Sequence, residues 1–249
     1  MSKIIDRTLD ILELFIDDDS GLSLTQICRL TGINPATGSR YLATLVARGY
    51  LTESSRNGLY HLGLKSIDFS YATRRNLHFI EFCYLPLIQL SKETGCDVYM
   101  TVLDAFTSLV IEEIGNTAAL RINSPIGRRM PLHSTACGKV HLARMPRDER
   151  QALYDRSKLE RFTKNTITDP NRLEEELETV QRDGVAYDRE EQRLGVWVVG
   201  APIYAGHEKV AAAGIITPVS RIRPDTILDH VKEIISCTGE ISQIISRMS

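Results

Sequence analysis

The sequence lacks most of what would make it a metalloprotein, a disulfide-stapled protein or a membrane protein. Its five cysteines are Cys28, Cys83, Cys96, Cys137 and Cys237. They are odd in number, form no CxxC pair and have no His-x-x-x-His partner, so neither a zinc site nor a disulfide framework is indicated. We read them as reduced thiols, with no metal and no cofactor expected. No apolar run approaches the roughly 20 residues that span a bilayer, and Met1 to Arg7 places charges where a signal peptide needs an apolar core. The expectation is a cytoplasmic protein without membrane contact. An excess of one charge is also missing: the formal net charge of -2 excludes a global basic field, so any nucleic-acid contact must come from a local patch. Internal repeats and low-complexity segments are absent as well.

What is present is length and local grammar. A chain of 249 residues is long for one compact domain and comfortable for two. In the stretch from Ser23 to Leu62, Ser23-Leu24-Thr25-Gln26 reads as a capping box that opens a helix. That helix carries Leu24, Ile27, Cys28 and Leu30 inward and stops at Thr31-Gly32. Asn34 and Pro35 then suit the N-cap and first position of a second helix. Its Leu42, Leu45 and Val46 share one side, and Thr37, Arg40, Tyr41, Thr44 and Arg48 recur on the other. Gly49 ends it, and Tyr50 to Glu53, a Ser54-Ser55-Arg56-Asn57-Gly58 turn and Leu59 to Leu62 form a strand pair closed around Asn57-Gly58. The order of these signals predicts a winged helix-turn-helix. Arg29, Arg40, Arg48 and Arg56 are opposed there only by Glu53, which suits phosphate neutralisation and guanine reading. The candidate DNA contacts are Thr25, Asn34, Ala36, Thr37, Ser39, Arg40, Tyr41, Thr44, Arg56 and Asn57. A small helical domain with an ordinary polar face is the plainer alternative.

Around this element the pattern predicts an amphipathic helix over Ile4 to Ile16, with Ile5, Leu9, Leu12, Phe15 and Ile16 on its stripe. A solvated acidic loop, Asp17-Asp18-Asp19, follows it. After the hairpin, Leu64 to Leu77 reads as a connecting helix, either an ordinary surface helix or one that packs on a second subunit. A further helix spans Phe79 to Thr94. Strands are expected at Asp97 to Leu103, Ser108 to Ile114 and Ala118 to Ser124 as one meander, and helices at Thr135 to Ala143, Arg147 to Tyr154 and Arg172 to Asp183. Strands return at Val185 to Asp188, Gly195 to Ile203 and Lys209 to Thr217, before a last helix from Asp225 to about Arg247. The order is that of an α+β sandwich with helices on both sides of a sheet.

Pro131-Leu132-His133-Ser134-Thr135-Ala136-Cys137-Gly138-Lys139 leads into a helix whose unpaired amides and partial positive charge could hold a carboxylate or phosphate. Simple capping explains the same residues. Together with Ala36-Thr37-Gly38-Ser39-Arg40-Tyr41-Leu42, Arg48-Gly49-Tyr50-Leu51, Tyr60-His61-Leu62-Gly63, Gly184-Val185-Ala186-Tyr187-Asp188 and Gly195 through Ala201-Pro202, this segment closely resembles the IclR family of bacterial transcriptional regulators. The resemblance covers nearly the whole chain in the family's order. It implies a winged helix-turn-helix domain (1–63), a linker helix (64–78) and a GAF-like α+β effector-binding and oligomerisation domain (79–249). It also implies a double-stranded DNA operator and a small organic acid as partners, in a homodimer or dimer of dimers. By position the effector would lie between Ser134, Thr135, Ala136, Cys137 and Gly138 on one side and Asp188, Val196, Val198, Gly214 and Ile216 on the other. Where relatives that bind small polar acids often carry serines on the last strand, this chain has Gly214-Ile215-Ile216-Thr217-Pro218. The apolar wall suggests an aromatic or branched acid.

Two further readings compete. Cys137, near a helix N-terminus that could lower its pKa, would suit a redox sensor. A hydrolase would need His133 to activate Ser134 or Cys137, which sequence closeness does not establish. No catalytic residue is expected.

Overall fold

The computed structural model describes residues 3–16, 20–116, 122, 124–156 and 158–248, and the chain divides into two units, Met1–His78 and Phe79–Ser249. In the first, α1 (Lys3–Glu13), α2 (Leu24–Thr31) and α3 (Pro35–Ala47) precede a hairpin of β1 (Leu51–Glu53) and β2 (Tyr60–Leu62), and α4 (Lys65–Asn76) follows. The local chemistry sets these boundaries. The Gln26 amide donates to Ser23 Oγ at 3.3 Å and the Ser23 amide donates to Gln26 Oε1 at 2.9 Å, which closes the capping box at the start of α2. Gly32 ends that helix with φ of 66°, a left-handed conformation that an L side chain resists. Asn34 Oδ1 then accepts the Thr37 amide at 2.9 Å and Pro35 opens α3.

The core of this unit is Ile11, Phe15, Leu22, Ile27, Ile33, Leu42, Leu45 and Leu51. The stripe expected over Ile4 to Ile16 holds only in part: Phe15 is in the core and Leu12 packs against it, but Ile5 is 60%, Leu9 51% and Ile16 67% exposed, and Ile11, outside that stripe, is fully buried. The helix has apolar residues on two sides, and only the side bearing Ile11 meets the core of its own chain. Leu30, expected inside, is exposed, and Tyr41, assigned to the polar face of α3, is half-buried against the core. Asp17 to Asp19 lie outside the described residues. The wing is closed by the turn expected from Ser54 to Gly58. Ser54 donates its amide to Leu59 O, Gly58 takes φ of 67° and Asn57 Oδ1 accepts the Leu59 amide.

The second unit runs α5 (Ile80–Thr94), β3 (Asp97–Asp104), β4 (Thr107–Ile114), β5 (Arg129–Pro131), α6 (Ala136–Arg144), α7 (Arg147–Arg156), α8 (Pro170–Asp183), β6 (Ala186–Arg189), β7 (Val196–Ala205), β8 (Glu208–Pro218) and α9 (Pro224–Met248). The two expected sets of strands form one antiparallel sheet in the order β5-β4-β3-β8-β7-β6, joined where β3 pairs β8. Of the strand expected at Ala118 to Ser124 only Ile122 and Ser124 are described, and among the described residues β5, an unexpected strand, lies at the edge beside β4. Residues 117–121 and 123 lie outside the described residues. Ile122 and Ser124 are not in a strand, because carboxylates take their amides: Ile122 N–H donates to Asp97 Oδ2 at 2.7 Å and Ser124 N–H to Glu113 Oε1 at 3.0 Å.

Register places side chains of facing residues on one side of the sheet. One row runs Asp188, Val198, Ile216, Asp97, and the next row on the same face runs Ala186, Gly200, Gly214, Tyr99. Helix α6 packs on this face, with α8 behind it, while α5 and α9 cover the other. The sheet and α6 meet closely at Gly200, where a Cβ would stand 3.2 Å from Ala136 C and Cys137 N.

A similar close approach in the first unit yields a prediction. A Cβ at Gly38 would lie 2.6 Å from Cys28 Sγ, so Gly38→Ala should cost about 1–3 kcal/mol through overpacking. Adding Cys28→Ala should recover most of that loss in denaturant titrations. Additive losses in the double variant would show that the sulfur is not the obstacle.

Candidate functional site

Two groups of residues stand out, one in each unit. On α3, Ala36, Ser39, Arg40 and Thr44 are exposed along one side and Thr37 is half-buried. The Thr44 hydroxyl donates to Arg40 O at 2.9 Å, leaving its oxygen free to accept. Asn34 is engaged as the N-cap, and Thr25 is exposed in the first turn of α2. Arg56 and Asn57 are exposed at the tip of the hairpin. Among the described residues none of Arg29, Arg40, Arg48 and Arg56 is in an ion pair. Glu53, the one carboxylate between Leu24 and Leu62, is hydrogen-bonded to Tyr60. Unneutralised arginines on an exposed helix and wing suit a polyanion.

In the second unit, Thr135 caps α6. Its Oγ1 accepts the Gly138 amide at 3.2 Å and donates to Pro131 O at 2.7 Å. The Tyr99 hydroxyl stands against the amide and thiol of Cys137. Of the amides left unpaired at a helix start, those of Cys137 and Gly138 are therefore answered from within the protein, and those of Thr135 and Ala136 remain beside Ser134. Ser134 is fully buried and its hydroxyl donates to Gln192 Oε1 at 2.7 Å.

Opposite lie Asp188, Val198 and Ile216, side by side on three adjacent strands, with Val196 next along β7. Asp188 Oδ1 accepts the Glu191 amide at 2.7 Å and the Gln192 amide at 3.3 Å, so this carboxylate shapes the loop that holds Gln192. Burial, opposed by those two bonds, pushes its pKa up to about 7. Behind the loop, the fully buried Lys139 donates to Glu191 Oε1 at 2.6 Å and to Tyr187 O at 2.9 Å. Thr163 and Thr166 donate to the carbonyls of Glu190 and Glu191 at 2.7 Å each.

The structure thus brings Ser134, Thr135 and Ala136 together with Asp188, Val196, Val198 and Ile216. It turns Cys137 and Gly214 elsewhere. A Cβ on Gly214 would stand 2.8 Å from Tyr99 Cε1 and 3.1 Å from Cys137 Sγ, so these residues meet each other under the helix. Gly138 is held against Leu132 O. Sequence reasoning missed Tyr99, Lys139, Glu191, Gln192 and Gly200 as parts of the site. Lys139 closed the quoted Pro131 motif, but nothing in a string distinguishes a buried lysine from an exposed one.

The IclR helix-turn-helix domain model matches residues 4–55, and the model for the C-terminal part of the bacterial transcriptional regulator IclR matches residues 71–243. The chain belongs to the IclR family. It is 32% identical over 237 residues to the HTH-type transcriptional regulator XynR of Escherichia coli K12, covering 94% of this chain and 93% of that one. To BhcR of Paracoccus denitrificans it is 35% identical over 216 residues, covering 86% and 76%. A transcriptional regulator from Rhodococcus sp. RHA1 superposes with a TM-score of 0.89 at 25% identity over the whole of both chains. An IclR homologue from Microbacterium hydrocarbonoxydans, complexed with 4-hydroxybenzoate, superposes with a TM-score of 0.88 at 19% identity over 99% of this chain and 100% of that one. The first unit of this IclR-family regulator thus carries its DNA-binding helix-turn-helix and the second its IclR C-terminal domain. No helix among the described residues is long and apolar enough to cross a membrane.

The redox expectation for Cys137 fails on its environment. Its thiol is fully buried and pushed up to about 12, because desolvation outweighs the lowering effects of Tyr99, Thr101 and Lys209. The hydrolase arrangement fails on geometry: Ser134 is bonded to Gln192, and His133 Nε2 is 2.9 Å from Glu160 O, so no nucleophile–base pair forms between them.

The raised Asp188 pKa gives a signed prediction. Between about pH 4 and 7 an unfolded Asp188 is ionised while the folded one keeps its proton, so this group makes the fold less stable as pH rises through that window and has no further effect above it. Asp188→Asn keeps the accepting oxygen and removes the titration. Urea midpoints measured from pH 4 to 7 should fall more steeply in the parent than in this variant.

Proposed function

We propose that this protein binds a palindromic operator as a dimer and releases or engages it in response to a small organic acid with a hydrophobic body, controlling a catabolic operon. Residues 1–63 would form the DNA-reading domain, 64–78 the linker helix and 79–249 the effector and oligomerisation domain. The observation that carries the reading is the amino end of α6. There, free amides and a buried hydroxyl at Ser134, Thr135 and Ala136 share a face of the sheet with Val196, Val198 and Ile216. A carboxylate suits the former and an aromatic or branched body the latter. The 4-hydroxybenzoate bound by the Microbacterium relative is such an acid.

For the DNA side, Thr25, Ala36, Thr37, Ser39, Arg40 and Thr44 are the proposed contacts on the helices, with Arg56 and Asn57 reaching from the wing. Tyr41 and Asn34 serve the fold first and touch DNA at most by their edges. A dimer is supported by apolar residues left uncovered in the single chain, Ile4, Ile5 and Leu9 of α1 and Ile67 and Phe69 of α4.

The test joins both halves. A thermal-shift screen of carboxylic acids that includes 4-hydroxybenzoate should find a ligand that raises the melting temperature, and the same ligand should change operator affinity in a mobility-shift titration. An acid that stabilises the protein without moving operator affinity would sink the effector reading. Arg40→Ala should lower operator affinity by roughly tenfold to a hundredfold, the worth of a bidentate base contact, while leaving the thermal shift intact. Parent-like operator affinity in that variant would mean that α3 reads DNA with another face.

A further inference from the structure

The carboxyl end of α6 holds a second cluster of polar groups, remote along the helix from Ser134. His141, 1% exposed, has Nε2 2.9 Å from Thr101 Oγ1 and Nδ1 2.6 Å from Lys209 Nζ. Burial holds its pKa well below the usual histidine value, so the ring is neutral. It donates through Nε2 to Thr101 and accepts from the lysine at Nδ1. Lys209 is itself pulled down to about 8 by burial, with Arg144 adding repulsion.

Neither cation has a carboxylate partner among the described residues; the Arg144 guanidinium lies 5.5 Å from the centre of the Tyr204 ring instead. Carbonyls at a helix end would be the ordinary compensation for such cations. Three of them are already answered here: Ala143 O accepts from Gln181 at 2.6 Å, Met145 O from Arg150 at 2.6 Å and Leu142 O from the Met145 amide at 3.0 Å. Beside Lys209 and Arg144 opens a cavity of about 430 Å³ whose wall includes Leu103, Met145 and Pro146. Glu149 and Glu208 line it too, both exposed and neither paired with the two cations.

We propose that this cavity is a second ligand site, which takes a small organic carboxylate with its anionic end between Lys209 and Arg144 and its apolar body against Leu103, Met145 and Pro146. It is separate from the site at Ser134 and does not depend on that reading. Two uncompensated cations next to an apolar wall are what a carboxylate with a hydrophobic body would complement. Anchored through His141 and Thr101, the lysine is already held in place before the ligand arrives.

Reductive dimethylation of the full-length protein, followed by peptide mass spectrometry, measures how accessible Lys209 is. At constant ionic strength, benzoate should slow labelling of Lys209 saturably by at least about fivefold, the slowing expected once a site is mostly occupied, while the exposed Lys232 labels at its original rate. Acetate should protect only at higher concentration. Arg144→Met should label Lys209 readily and lose the protection by benzoate. The proposal is overturned if benzoate leaves Lys209 labelling unchanged, or if protection persists in Arg144→Met, which would place the bound benzoate elsewhere. Protection by inorganic phosphate at lower concentration than benzoate would overturn the assignment of a carboxylate with an apolar body.

Discussion

The close seating of α6 on the sheet is the constraint on which the second unit depends. At Gly200 the helix backbone comes so near the strand that a Cβ would stand 3.2 Å from Ala136 C and Cys137 N, tighter than ordinary van der Waals contact. Gly214 makes the same concession to Tyr99 and the Cys137 sulfur. With the helix fixed at that height, Tyr99 reaches the amide and thiol of Cys137, Thr135 caps Gly138, and Ser134 reaches Gln192. Raising the helix by the thickness of a methyl group would break each of these short contacts together, because packed interiors offer few voids to absorb the shift.

The charges buried behind the site follow from the same geometry. Lys139 is one turn along α6 from Thr135 and faces the loop after β6, where Glu191 accepts its proton donor at 2.6 Å. Enclosing such a pair costs desolvation energy that mutual attraction repays only with good hydrogen bonding. The Tyr187 carbonyl supplies a further acceptor for the ammonium. Glu191 Oε2 has no partner among the described residues, so the balance on the acid side is incomplete, in keeping with a carboxyl group whose pKa burial raises. The loop therefore gains a defined position at a cost in stability.

How far this was legible from the string depends on the distance over which each signal acts. Ser23, Gln26, Gly32, Asn34 and Pro35 act within four residues, and each forms the cap, stop or first turn read from it. Helix and strand order in the second unit was readable for the same reason. The apolar stripe at the start of the chain was readable only at Leu12 and Phe15, since Ile5, Leu9 and Ile11 are equally apolar and only the shape of the core selects Ile11. The binding of the Ile122 and Ser124 amides by carboxylates on β3 and β4 was not readable, since those partners lie well before them in the chain. In the site, Ser134 and Thr135 could be placed by motif. The inward turn of Cys137 and the partnership of Lys139 with Glu191 could not, since the first is set by Tyr99 and Gly214 and the second by a loop, all far off in sequence.

A ligand that took the hydroxyl of Ser134 would compete with Gln192 for it, and the rest of the loop would resist in a graded way. Asp188 holds the amides of Glu191 and Gln192, Lys139 holds the Glu191 side chain, and Thr163 and Thr166 hold the carbonyls of Glu190 and Glu191. Losing the Ser134 bond frees only the Gln192 side chain, while the loop keeps its tethers to Asp188, Lys139, Thr163 and Thr166. Any shift in the population of loop states is then bounded by what the ligand gains on the freed loop over the tethered one. One hydrogen bond, worth about 0.5–1.5 kcal/mol net, moves such an equilibrium by a factor of only about ten. A larger response requires the ligand to engage the apolar row of Val196, Val198 and Ile216 as well, and to do so differently in the two states.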